Sequence, residues 1–123
     1  MKINTFTDLV AWREAHALVL LIYKSTKSFP ADEKFGLASQ MRRAAISTTS
    51  NISEGFCRRT KNDKNQFYLI AKGSNAELQS QLFASRDLEY LTTPEFRTIY
   101  LKSVGVSKLI SGLIKSSATA EKY

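Results

Sequence analysis

Apolar residues recur at steps of three and four along four stretches of the chain, a spacing that predicts amphipathic helices. The first helix is predicted from about Asp8 to Ser25, with Thr7 or Asp8 as its cap. Its apolar face comprises Leu9, Trp12, Ala15, Val19 and Ile22. No stretch shows the alternation that is typical of strands, so the pattern predicts an all-α protein.

The second helix follows the segment SFPADEKFG, in which Pro30 disfavours helical geometry at Phe29. Its start is predicted near Ala31 or near Leu37, and its end near Arg58. The predicted apolar face of this helix comprises Phe35, Ala38, Met41, Ala45, Ile52 and Phe56.

A third helix is predicted from a cap at Asp63 to about Leu91, and a fourth from a cap at Thr93 to about Ser117. Short connections between long helices favour antiparallel neighbours. We therefore predict one domain, residues 1–123, folded as an antiparallel up-down four-helix bundle. A coiled-coil hairpin is the alternative, but the apolar stripes are wider than a two-stranded seam needs.

A second line of residues on helix two is polar and also recurs at helical spacing. If helix three runs back from a turn near residues 60–61, facing residues have numbers that sum to roughly 121. Ser47 then faces Ser74, and Arg43 faces Glu77, which predicts an internal polar seam with a buried ion pair. A solvent-exposed polar face is the alternative. The predicted seam comprises Gln40, Arg43, Ser47, Asn51, Glu54, Ser74 and Glu77, with Gln81 opposite Gln40.

The stretch SNISEGFCRR places Gly55 inside helix two, where glycine costs about 1 kcal/mol relative to alanine. We interpret Gly55 as a site of close approach, where Phe67 of helix three needs room.

The chain carries 18 Lys and Arg against 11 Asp and Glu, a formal net charge of +7 that favours acidic partners, above all RNA or DNA. The predicted phosphate-binding residues lie in the connection CRRTKNDK and are Arg58, Arg59, Lys61 and Lys64. A stripe on helix four, Arg97, Lys108, Lys115 and Lys122, is either a second phosphate contact or a solvated helix face. No exposed aromatic residue is identifiable for base stacking, so a salt-sensitive backbone contact is expected.

The sequence offers no recognisable reactive centre. His16 and Cys57 are the only residues of their types, and neither belongs to a metal-binding or nucleophilic motif. We predict no enzymatic activity, no cofactor and no metal site. No apolar run approaches the ~20 residues that span a bilayer. A single cysteine fits a reducing compartment, so a soluble cytoplasmic protein is expected.

Three sequence blocks stand out by the order and spacing of their residues. They are Phe29, Pro30, Glu33, Gly36, Leu37, Gln40, Arg42, Arg43 and Ala44; Asn51, Ile52, Glu54 and Gly55; and Gly73, Ser74, Glu77 and Leu78. With these blocks the chain resembles the four-helix bundle proteins encoded in intervening sequences of bacterial 23S ribosomal RNA genes, and the resemblance extends to about Ile114. Thr49 stands where the family often has a proline.

The resemblance implies an up-down bundle that assembles into a ring-like homopentamer. It also implies similarity to the accessory proteins of diversity-generating retroelements, which bind nucleic acid and a reverse transcriptase. We expect a non-enzymatic, ribosome-associated bundle that binds ribosomal RNA or its own transcript through phosphates. The alternative is a protein-interaction scaffold, or an accessory factor for a nucleic-acid enzyme such as a reverse transcriptase.

Overall fold

Four helices account for most of the protein. The structure, a computed structural model, describes residues 2–120 and the side chains of residues 2–117. The helices are α1 (Val10–Thr26), α2 (Leu37–Cys57), α3 (Lys61–Asp87) and α4 (Thr93–Ala120), and 3-10 turns lie at Phe6–Asp8 and Ala31–Glu33. No strand occurs within residues 2–120. Helix α2 packs on α1 and α3, and α4 packs on α3 and α1, as expected for the predicted all-α up-down bundle.

The starts of α3 and α4 follow capping chemistry, three residues and one residue before the predicted caps. The hydroxyl of Thr60, rather than Asp63, caps α3 by accepting a 3.2 Å hydrogen bond from the Asp63 amide. At the start of α4, Thr92 and Glu95 form a reciprocal pair, with the Thr92 amide donating to the Glu95 carboxylate at 2.9 Å. The predicted cap, Thr93, is instead the first residue of α4.

Asp8 does not cap the first long helix. Its carboxylate accepts hydrogen bonds from the backbone amides of Asn4 and Thr5, at 2.9 and 3.1 Å, and so closes the turn before α1. These bonds lower the pKa of Asp8 below its ordinary value. Helix α1 consequently begins at Val10, after the predicted start.

Helix α2 begins at Leu37, the later of the two predicted starts, because Glu33 holds its first turn. The Glu33 carboxylate accepts a 3.2 Å hydrogen bond from the Leu37 amide. It lies so close to Gly36 that an added Cβ would be 2.6 Å from Oε1. Phe35 therefore lies on a non-helical turn and is 88% exposed. Its prediction as part of the apolar face is wrong for that reason.

The connection from α3 to α4 is a Schellman turn. The Tyr90 amide donates to the Ser85 carbonyl at 2.8 Å, and the Glu89 amide donates to the Arg86 carbonyl at 3.0 Å. Glu89 adopts a positive φ of 64°, so α3 ends at Asp87 and not near Leu91. The Tyr90 hydroxyl donates to Glu33 at 2.8 Å, which ties this turn to the start of α2.

The core lies between all four helices. Its fully buried apolar side chains include Leu18 and Ile22 of α1, Met41 and Ile52 of α2, Leu78 and Leu82 of α3, and Ile99, Val106 and Ile110 of α4. A buried polar contact joins α3 to α4, where the Asn75 amide donates to the Ser103 carbonyl at 2.8 Å. No described helix combines the length and the apolar composition needed to cross a membrane.

Candidate nucleic-acid interface

The predicted phosphate-binding residues lie at one end of the bundle, where α2 ends and α3 begins. Three of them, Arg59, Lys61 and Lys64, line a pocket of about 320 Å³. Its other walls come from the start of α1, from α3 and from the last turns of α4, namely Leu9, Tyr68, Leu113, Ser116 and Ser117. We call this pocket with its cations the basic end.

Arg58 is already engaged within the protein. Its guanidinium forms an ion pair with Glu54 one turn earlier, at 3.2 Å, and lies over the Phe67 ring at 4.5 Å. Arg58 is absent from the pocket lining, and its charge is balanced by Glu54. Arg58 thus lies at the predicted end of the bundle but is directed to Glu54 and Phe67 rather than to the pocket, and its contact with phosphate stays a prediction.

Lys64 has a structural role at the same end. Its ammonium donates to the Phe56 carbonyl at 2.8 Å and lies 3.4 Å from the Gly55 carbonyl. These carbonyls belong to the last turn of α2, where a cation offsets the helix dipole. The Gly55 carbonyl also accepts a 3.2 Å hydrogen bond from the Arg58 amide. A phosphate in the pocket would share this ammonium with the helix end.

Arg59 is the cation with the greatest freedom to meet a ligand. Its side chain is exposed and forms no ion pair or hydrogen bond with the described residues. It lies between the end of α2 and the cap of α3, and it is one of the residues that line the pocket. Lys61, half-buried in the first turn of α3, lines the same pocket.

The pocket also contains a buried hydroxyl group that is not hydrogen-bonded. The Ser117 hydroxyl is buried and has no hydrogen-bond partner. Tyr68 also lines the pocket, and burial together with the nearby Cys57 raises the pKa of its phenol. Cationic and hydroxyl donors around one concave site suit an oxyanion such as phosphate.

The predicted polar seam has the correct register at its centre. The hydroxyls of Ser47 and Ser74 meet across α2 and α3 at 2.8 Å. Asn51 donates to the Ser47 carbonyl at 2.8 Å and to its hydroxyl at 3.2 Å. The predicted pairing of residue numbers therefore describes how these two helices lie side by side.

The predicted burial of the outer seam residues is wrong. Arg43 and Glu77 are both exposed and form no ion pair, and Glu77 instead accepts a 3.1 Å hydrogen bond from Gln81. Gln40 and Glu54 are exposed as well. These residues follow the outer edge of the α2–α3 contact, because the core-facing side of α2 is occupied by Ala38, Met41, Ala44, Ala45, Thr48, Thr49, Ile52 and Gly55.

Gly55 permits a close approach of α3, through Tyr68 rather than the predicted Phe67. A Cβ on Gly55 would lie 2.6 Å from Cε1 and 2.7 Å from Cδ1 of the Tyr68 ring. Ordinary contacts of this kind measure 3.4–4 Å. The absence of a side chain at Gly55 therefore lets the ring of Tyr68 reach the wall of the basic end.

The remaining candidate residues within the described part of the chain lie on exposed surfaces of α4 and α1. Arg97, Lys108 and Lys115 are exposed along α4, and Lys122 lies outside the described residues. His16 is exposed and stacks on Trp12 with ring centroids 4.7 Å apart. Within residues 2–120, no three His, Cys, Asp or Glu side chains are placed to hold a metal ion.

Comparison with known proteins gives a family and a fold. A model of the 23S rRNA-intervening sequence protein family matches residues 7–112. Among solved structures, the chain is similar to a protein of unknown function from the S23 ribosomal protein family of Bacteroides thetaiotaomicron. That likeness has a TM-score of 0.78 and 20% identity, and covers 86% of this chain and 96% of the other, so it shows the shared fold. The comparison with curated proteins found no match.

Proposed function

The chain belongs to the 23S rRNA-intervening sequence protein family, and from that premise we propose that it is a non-enzymatic protein that binds RNA through phosphates at its basic end. The proposed RNA is ribosomal RNA or the protein's own transcript. The proposed location is the cytoplasm, with association to the ribosome where the RNA is ribosomal. The observation that carries the proposal is the pocket that Arg59, Lys61 and Lys64 share.

The physical case rests on charge and geometry. Arg59 offers a planar guanidinium that bonds two phosphate oxygens at once, and it is not engaged by a described carboxylate. Lys61 and Lys64 add positive charge within the same concave site. The formal net charge of +7 brings a polyanion toward the protein over longer distances.

The proposed contact is with the RNA backbone, and sequence plays little part in it. The walls of the basic end present cations, serines and aliphatic side chains, and the one aromatic ring among the pocket residues, Tyr68, is buried. Backbone contacts position a nucleic acid without reading its bases. Affinity should therefore depend strongly on salt and weakly on sequence.

The test uses a fluorescein-labelled RNA hairpin, whose paired bases are hidden and whose phosphates are accessible. Replacing Arg59 and Lys61 by alanine should weaken binding at low salt by about 10- to 100-fold, the value of two hydrogen bonds that contribute about 1 kcal/mol each. The matched control is Arg43→Ala with Lys72→Ala, which removes the same two residue types from exposed positions away from the pocket. The control should bind like the wild type. Equal losses in both variants would reduce the contact to net charge and contradict the proposed site.

Self-association is the second part of the proposal. Several large apolar side chains remain exposed on the single chain, and burying them against other copies would be favourable. They include Leu20, Leu69, Ile70, Leu88 and Leu101. The family resemblance suggests a homopentamer. A light-scattering mass equal to that of one chain would contradict this part and leave RNA binding to be judged separately.

A protein-interaction scaffold is the alternative function. The same exposed apolar residues favour it, since they would equally suit a partner such as a reverse transcriptase or another nucleic-acid enzyme. A stoichiometric partner that stays bound after nuclease treatment would support this alternative. Loss of the partner on nuclease treatment would instead support RNA binding.

A further inference from the structure

A second cationic pocket lies at the opposite end of the bundle. It has a volume of about 360 Å³ and is formed where α1 ends, the Ala31–Glu33 turn follows and α2 begins. Lys27, Lys34 and Arg42 come from these three segments and line it together. Because α2 runs between the two ends with 21 residues, the two pockets are about 30 Å apart.

Arg42 is held in place by neutral groups. Its Nε donates to the Thr26 hydroxyl at 2.9 Å, and a terminal nitrogen lies 3.4 Å from the Tyr23 carbonyl. The guanidinium also lies over the Tyr23 ring at 4.7 Å. These contacts fix its orientation without neutralising its charge, and leave other N–H groups for a ligand.

No described carboxylate forms an ion pair with Lys27, Lys34 or Arg42. The neighbouring Glu33 is engaged by the Tyr90 hydroxyl and the Leu37 amide. Asp32 lies two residues before Lys34 and is exposed on the same turn. Three cations thus converge on one concave site, and none of them forms an ion pair with a described carboxylate.

An exposed aromatic ring adjoins these cations. Phe35 is 88% exposed, and the ammonium of Lys34 lies 5.5 Å from its ring centroid. Tyr23, under the guanidinium of Arg42, is partly exposed as well. Burial of a phenylalanine side chain contributes roughly 2 kcal/mol of favourable free energy. A partner that covers the exposed ring would therefore bind more tightly by that amount.

We propose that this distal patch, defined by Tyr23, Lys27, Lys34, Phe35 and Arg42, binds a single-stranded segment of RNA. One base stacks on Phe35, and an adjacent phosphate enters the pocket beside Lys34 and Arg42. Aromatic rings next to cations that form no ion pair are the combination by which proteins hold single strands. The choice of RNA as occupant rests on the proposed function, whereas the stacking contact does not depend on the basic end.

Two sites on opposite ends give the protein a bridging geometry. A paired region of RNA can lie at the basic end while an unpaired segment lies on the distal patch, about 30 Å away along the helices. Each site has a distinct requirement, since the basic end needs only phosphates and the distal patch needs a base.

The test compares a labelled oligouridylate with an abasic ribose-phosphate oligomer of the same length. The wild type should bind the oligouridylate more tightly. Phe35→Ala should weaken that binding by roughly 5- to 100-fold and leave abasic binding unchanged, as expected for loss of one stacked base. Phe35→Tyr keeps a ring and should bind like the wild type. Because Phe35 is exposed, the variants should unfold at the wild-type temperature.

The outcomes separate this proposal from the proposed function. Equal wild-type affinity for both oligomers, or an unchanged affinity in Phe35→Ala, overturns the distal patch and leaves the basic end intact. A Phe35→Ala protein of lower light-scattering mass than the wild type overturns it too, because Phe35 then contacts a second copy. If Arg59→Ala with Lys61→Ala loses hairpin binding but keeps the preference for bases, the two sites are independent. No binding of any RNA contradicts both.

Discussion

Replacing Gly55 by alanine should destabilise the protein, even though alanine is the better helix former. The new Cβ would lie 2.6 Å from the Tyr68 ring and 3.1 Å from the Lys64 carbonyl oxygen. Tyr68 is buried, and the carbonyl belongs to the backbone of α3, so neither can rotate away. Relief requires α3 to move outward from α2 at the basic end.

The magnitude follows from two opposing terms. Alanine gains about 1 kcal/mol in helix propensity over glycine. Overpacking a close contact costs about 1–3 kcal/mol, and contacts this short with a ring and a backbone oxygen place the cost near 3 kcal/mol. The expected net loss is about 2 kcal/mol, which corresponds to a decrease in Tm of roughly 6–10 °C for a protein of this size.

Urea denaturation followed by circular dichroism measures this change, and Gly73→Ala is the matched control. Gly73 lies exposed within α3, and a Cβ there would meet nothing within 4 Å. Gly73→Ala should therefore stabilise the protein by about 1 kcal/mol. Tyr68→Leu, which removes the ring, should reduce the cost of Gly55→Ala in a double-mutant cycle. If Gly55→Ala were as stable as Gly73→Ala, the reasoning from close packing would be refuted.

Three further changes test other parts of the fold. Glu89→Gly should stabilise the protein by about 1 kcal/mol in urea denaturation, because glycine adopts the positive φ of 64° without strain; no gain would mean that the turn is not strained. Tyr90→Phe should cost about 1 kcal/mol through loss of the hydrogen bond to Glu33, and a neutral result would show that the bond contributes nothing. The pKa values of Asp8 and Glu95 are lowered by backbone hydrogen bonds, from 3.8 and 4.5, so their contributions are present above these values and are lost as the pH falls through the lowered pKa values. Tm measured from about pH 6 to about pH 3 should fall less steeply in Asp8→Asn with Glu95→Gln than in the wild type.

Most of the architecture could be predicted from the helical periodicity of apolar residues and from the short connections between the helices. The alternating long helices and short connections predict the up-down bundle, and the Ser47–Ser74 contact shows that even the register of α2 against α3 is readable from residue numbers. Burial was not readable in the same way. A helical wheel gives the direction of Arg43 and Glu77 but not how far the neighbouring helix covers them, and both reach water at the edge of the contact.

Local chemistry explains the misplaced residues. Glu33 closes the turn before α2 by accepting a hydrogen bond from the Leu37 amide, which leaves Phe35 outside the helix. Glu33 also accepts a hydrogen bond from Tyr90, a residue distant in sequence, so this turn depends on tertiary structure. The sequence FPADEKFG contains the capping carboxylate three residues before glycine, and that spacing is the signal that could have placed the start of α2 at Leu37.

The sequence was enough to predict a cluster of cations at the basic end. It was not enough to predict which residues each cation contacts. The run Arg58, Arg59, Lys61 and Lys64 is visible in the sequence, but the engagement of Arg58 by Glu54 and Phe67 depends on how α2 and α3 pack. The distal patch was missed because its residues come from three separate segments and because Phe35 was assigned to the core. Only the folded chain brings Lys27, Lys34 and Arg42 to one pocket.

The salt dependence of hairpin binding tests the central claim most directly. A duplex releases about 0.9 counterion for each phosphate that the protein neutralises, so loss of Arg59 and Lys61 should reduce the slope of log affinity against log salt by roughly 1.8. The account predicts that smaller slope in Arg59→Ala with Lys61→Ala, and an unchanged slope in Arg43→Ala with Lys72→Ala. An identical slope in the wild type and the Arg59/Lys61 variant would contradict phosphate binding at the basic end.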